Sequence, residues 1–273
     1  MKWWKSFILA LGVFTSVVAV SLFSLVGLNV VSLDAASVPV YPSSNSSVVA
    51  VSQDFELSKK SLADNGIVLS VEPRVVLGYA SWITPAQQDK DVIAAASVLA
   101  EEWVKYDLTF IQNTGIKKIY LVRNLSVNGQ ARSGMPEPVL EDALYFDVAN
   151  NYLTSENGQY MRRTFHHEFR HLIDYNLYGT YSPANSLWQK CNAPSFKYGS
   201  GGAAMYNDPE YAHKSHPVSG FVNGYATSGI DEDRAEVYAL FMTNPEKLQS
   251  MAIDDSSLAC KVTLVQSTQS LLL

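Results

Sequence analysis

The segment Phe165-His166-His167-Glu168-Phe169-Arg170-His171 gathers three of the chain's five histidines around one glutamate. His167, Glu168 and His171 make a His-Glu-x-x-His pattern inside a stretch with helical character, residues 154–179. On a helix, residues i and i+4 leave one face a single turn apart, so both imidazoles can reach one metal ion. Glu168 then lies to the side, where its carboxylate can hydrogen-bond a water on that ion. The chemistry such a group suits is metal-assisted hydrolysis with a glutamate as general base. The competing account is a solvated helix face with coincidental histidines. His166 points about a quarter-turn away and reads as structural or partly exposed.

Two histidines do not complete a catalytic zinc site, which takes three protein ligands and leaves one position for water. The residues after His171, Leu-Ile-Asp-Tyr-Asn-Leu-Tyr-Gly-Thr-Tyr, contain no third histidine. A carboxylate from a second helix can substitute, and Asp231-Glu232-Asp233-Arg234-Ala235-Glu236 offers four. Glu232 and Glu236 share a face at i and i+4. Acidic residues at a helix start also interact well with the helix dipole, which accounts for Asp231 to Asp233 but not for Glu236, a turn further in.

On these residues the chain resembles the zinc metallopeptidases of the anthrax-lethal-factor-like group, gluzincins that include the secreted Pro-Pro endopeptidases. The likeness rests on the His-Glu-x-x-His helix and on an aspartate three residues later, Asp174. It rests also on a tyrosine seven residues before a glutamate, Tyr225 and Glu232, and on the Ala235-Glu236 pair. Trp188, Lys197 to Gly202 and Gly220 to Val222 look like elements of a related group of secreted bacterial zinc peptidases. The resemblance covers about residues 160–245. It implies that His167, His171 and Glu232 bind one zinc ion, that Glu168 is the general base, and that Tyr225 hydrogen-bonds the developing oxyanion. It implies further that Asp174 and Glu236 orient the ligand histidines, and that the substrate is a protein or peptide. Arg170, inside the motif, departs from the pattern; its charge is expected to repel or select substrate. His213 and His216 read as loop histidines that could line the cleft.

The elements that must position these residues follow from periodicity and punctuation. Thr84 and Pro85 mark the start of an amphipathic helix with Val92, Ala95, Leu99, Trp103 and Tyr106 on one face. Residues 74–81 and 116–127 read as strands, and residues 143–150 as another, cast as an edge that could pair with a peptide substrate. Between the last two strands, residues 128–138 read as a loop. Gly179 suits a left-handed helix stop. The long Gly-, Ser- and aromatic-rich stretch at 181–224 reads as a functional loop, its Gly-Ser-Gly-Gly run as flexible backbone beside a cleft. One helix over 229–251 carries the acidic cluster, and another forms at 263–273. Helices and strands in this order predict an α+β fold, which the resemblance refines to a zincin-like domain with the motif helix beside a small mixed sheet.

The totals exclude some classes. A net charge of −6 without a basic run argues against nucleic-acid binding. Lys2 and Lys5 followed by an uncharged run to Leu33 read as an export signal or membrane anchor over residues 1–37, with cleavage at Ala35 to Ser37 favoured. Residues 38–53 read as a flexible linker, and 54–273 as one domain in which 54–71 is a short helix or pro-segment. The expected location is therefore outside the cell or at its surface. Cys191 and Cys260 either pair or stay as two buried thiols. A zinc-stabilised binding module without turnover remains the alternative to an enzyme.

Overall fold

The computed structural model describes residues 54–149, 158–183 and 187–273. The signal and linker readings fall outside the described residues. Helix α1 (Phe55–Asp64) is capped by the Asp54 side chain, which accepts from the Glu56 N–H, and leads to strand β1 (Val68–Ser70). Phe55, Leu62 and Leu69 are buried in the main core, so this segment is woven into the domain. Strand β2 is Ala80–Ile83, later than the expected 74–81.

Helix α2 (Lys90–Trp103) begins five residues beyond Pro85 because Asp89 caps it, accepting from Asp91 N–H at 3.0 Å. Asp89 and Asp91 both pair with Arg123, which fixes the start there rather than at Thr84. Helix α3 (Leu108–Thr114) follows and stops at Gly115 with φ +77°.

Strand β3 (Lys118–Val127) is the spine of a six-stranded mixed sheet. Its first half lies parallel to β1; its second half pairs antiparallel with β2 and with β4 (Gln130–Ala131). Asn128 and Gly129, both with positive φ, make the two-residue turn between β3 and β4, a geometry that Asn-Gly accepts readily. Part of the expected loop is therefore a hairpin that continues into β5 (Gly134–Glu137). Strand β6 (Ala143–Asp147) is parallel to β3 and antiparallel to β5. The order β1-β3-β6-β5 puts β6 inside the sheet, fully buried, and makes β5 the edge. The edge role expected of residues 143–150 passes to Gly134–Glu137.

Helix α4 (Gln159–Tyr178) ends at Gly179, whose φ of +70° fulfils the expected stop. Met161, Phe165 and Phe169 recur every four residues and enter the core, where Trp103 lies 5.4 and 5.2 Å from the two phenyl rings. His167 and His171 sit two positions out of phase and face the other way. The chain continues through the short helices α5 (Leu187–Lys190) and α6 (Pro209–His213) into α7 (Ile230–Thr243). Asn244-Pro245 breaks the expected long helix into α7 and α8 (Pro245–Ile253), since proline cannot continue the hydrogen-bond ladder. Helix α9 (Ser256–Leu272) completes the fold, longer than its expected 263–273.

Cys191 and Cys260 form a disulfide across a sequence separation of 69. Closing a loop of that length stabilises the fold by up to about 4 kcal/mol on chain-entropy grounds. Among the described residues, no helix is long and apolar enough to cross a membrane.

Candidate metal centre

Helices α4 and α7 pack side by side, and their facing polar residues converge. His167 Nε2 lies 3.1 Å from His171 Nε2 and 3.1 Å from Glu232 Oε2, with His171 Nε2 3.4 Å from the same oxygen. Ligands bonded to zinc at about 2.0–2.1 Å in a tetrahedron stand about 3.3 Å apart. Two imidazoles and a carboxylate at these separations fit a zinc ion in both donor type and spacing. Burial works against a charge on Glu232, but the two imidazoles outweigh it and hold its carboxyl well below the usual range. Burial likewise opposes charge on His171, yet Glu232 overrides it and raises the imidazole to about 9. Two imidazoles and an ionised carboxylate so close together suit a shared cation.

Glu168 points into the same cleft. Burial raises its carboxyl above the ordinary value, while His167 and His171 pull the other way. Gly134 of β5 lies so close that a Cβ there would come within 2.6 Å of Glu168 Cγ; a bare backbone is what lets the edge strand approach. The Tyr225 hydroxyl donates to Glu232 Oε1 at 3.1 Å, and burial holds the phenol protonated. Gly202 packs over this pair: a Cβ would sit 2.2 Å from the Tyr225 hydroxyl. Gly199 and Gly201 donate to the carbonyls of Thr227 and Ser228, so the expected flexible run is a fixed wall.

The two carboxylates expected to orient the histidines differ. Glu236 Oε1 lies 2.9 Å from His167 Nδ1, while Asn223 donates to its other oxygen at 2.6 Å and Arg163 pairs with it. Asp174 instead binds arginines: Arg234 donates to both its oxygens at 2.6 and 2.8 Å, and Arg170 lies 2.9 Å from one. It ties α4 to α7 rather than orienting an imidazole. Arg170 is accordingly buried over the Tyr238 ring and cannot screen substrate as expected from its motif position.

Asp233, one residue from Glu232, is fully buried and receives Trp188 Nε1, the Tyr198 hydroxyl and Lys261 Nζ at 2.7–2.8 Å. Trp188 and the Tyr198-containing run thereby gain a structural purpose. His166 is buried between the Tyr106 hydroxyl and Glu102, each at 2.6 Å. His213 lines the cleft, whereas His216 bonds Asp255.

Sequence reasoning missed Arg163, Asn223 and Gly134. Arg163 stands one turn before His167, a spacing that could have revealed it. Gly134 gave no local signal.

The sequence matches the family described as "Putative zinc-binding metallo-peptidase" over residues 77–269. A solved structure from Bacteroides caccae with the same description superposes with a TM-score of 0.50 at 21% identity, covering 80% of this chain and 86% of that one. At that identity the likeness is one of fold. No curated protein matches the chain.

Proposed function

Because the chain belongs to that zinc-binding metallopeptidase family, we propose that it is an endopeptidase hydrolysing peptide bonds with one catalytic zinc ion. The observation that carries the reading is the convergence of His167, His171 and Glu232 within bonding range of a common centre. When bound, zinc supplies an acidified water with a pKa of roughly 7 and polarises a carbonyl.

The rest falls to the chain's own groups. Glu236 Oε1, 2.9 Å from His167 Nδ1, stands behind the imidazole and helps keep its Nε2 turned toward Glu232 and His171. Glu168 takes the proton of the attacking water and passes it to the leaving amine. Burial, which raises its carboxyl above the ordinary value, favours the uptake of that proton. Tyr225 turns its hydroxyl from Glu232 to the developing oxyanion. Strand β5, the sheet edge among the described residues, runs along the cleft, where an extended substrate can add as a further strand. The spacing of Tyr225, Glu232 and Glu236 supports membership of the gluzincin, lethal-factor-like group. The disulfide and the apolar N-terminal run support export, as an enzyme secreted or held at the cell surface.

The test pairs metal analysis with Glu168→Gln. The reading requires one zinc per chain in both proteins, and peptide cleavage about 10²–10⁴-fold lower in the variant. Full zinc with no cleavage by the unmodified chain would instead favour a zinc-stabilised binding module. Absence of zinc would end both.

A further inference from the structure

The cleft beside the metal centre, about 810 Å³, is lined by acidic groups that include Glu137, Glu168, Asp231 and Glu236, and by the arginines Arg132 and Arg163. Arg163 is already paired with Glu236. Arg132 is different. Among the described residues no carboxylate lies within ion-pair distance of it, although it is half-buried in a wall rich in acids. Its guanidinium lies over the Tyr206 ring, 4.8 Å from the centroid. Tyr206 belongs to the segment Gly202–Asn207 on the far side of the cleft, and Gln130 reinforces the bridge by donating to the Ala203 carbonyl at 3.3 Å.

A guanidinium held over an aromatic ring is attracted to the ring face and restrained there. The N–H groups around its edge remain available, in the fork that matches a carboxylate. Arg132 also immediately precedes Ser133 and the edge strand β5, so a chain laid along β5 passes its guanidinium. Resting on the peptidase reading, we propose that Arg132 is a specificity-determining residue that recognises a carboxylate of the peptide substrate. That carboxylate is either an acidic side chain or a free C-terminus.

The test separates recognition from turnover. Fluorescein-labelled octapeptides are bound to zinc-loaded Glu168→Gln protein, with and without Arg132→Gln. One series scans a single aspartate along a neutral peptide with an amidated C-terminus, and a second carries no acid but a free C-terminus. In the Arg132 background, the favoured carboxylate peptide binds about 10-fold more tightly than the neutral amidated one. Arg132→Gln removes that difference and leaves the neutral peptide within two-fold. Arg132→Glu shifts the preference to a lysine in the same position. A gain confined to one aspartate position identifies a side-chain carboxylate; a gain confined to the free terminus identifies the C-terminal one. Equal binding of all peptides before substitution, or an equal loss for all of them in Arg132→Gln, overturns the proposal. Cleavage of the same peptides by the unmodified chain is measured separately. Failure there counts against the peptidase reading while the binding arm still decides the role of Arg132.

Discussion

Helix α7 presents two kinds of buried or half-buried carboxylate on its two sides. Toward α4 and the cleft stand Glu232 and Glu236, close to imidazoles. Away from the cleft stands Asp233, held by an indole, a phenol and an ammonium, while the adjacent Arg234 grips Asp174 of α4 outside the cleft. On the second side every charge has a protein counter-charge at hydrogen-bond distance. On the first, Glu236 also pairs with Arg163, but Glu232 Oε2 faces two imidazole nitrogens at a spacing that suits a shared cation. The contrast separates groups that hold the fold from groups held by it, and burial alone does not make that distinction.

Four substitutions probe it. Glu232→Ala, on the cleft side, is expected to abolish both stoichiometric zinc and peptide cleavage. Near-UV circular dichroism should be unchanged, and an unaltered zinc content would break the comparison. Asp174→Ala, on the scaffold side, leaves two buried guanidinium groups uncompensated and costs about 3–5 kcal/mol in urea unfolding. The fraction that remains folded should still carry one zinc. Glu236→Ala removes the carboxylate 2.9 Å behind His167 Nδ1, and zinc affinity by chelator competition should fall about 10–100-fold.

The smallest effect lies far from the cleft, at the start of α9. Burial of Asp255 works against its charge, but the Gly220 N–H, His216, the Leu258 N–H and Ser219 outweigh it and hold the carboxyl at about 2. A carboxyl depressed on folding contributes stability that is fully present above its unfolded value, near 3.8, and is lost as pH falls through about 2. Asp255→Asn should therefore flatten the acid limb of the stability profile between those values and leave the slope near neutrality unchanged. An identical acid limb in both proteins would show that Asp255 carries no such linkage.

What could be read before folding was whatever repeats over one helical turn. His167 with His171, and Glu232 with Glu236, share faces by spacing alone, and Gly179 announces its own stop. The α+β class followed from the run of elements. The rest depends on partners far apart in the chain. Nothing near Asp174 says that its counter-charges include Arg234, sixty residues on. Strand order is equally non-local: β6 is interior because β5 doubles back beside it, and the apolar pattern of Ala143–Asp147 fits either position. Thr84-Pro85 is a sound helix start locally, but it loses to Asp89, whose side chain caps α2 and pairs with Arg123.

Cys260 and Lys261 are neighbours on α9, one bonded to Cys191 and the other to Asp233. Two fastenings of the region behind the helix that carries Glu232 thus sit side by side on one turn of α9. A thiol reductant therefore loosens the same turn of α9 whose Lys261 holds Asp233, one residue from Glu232.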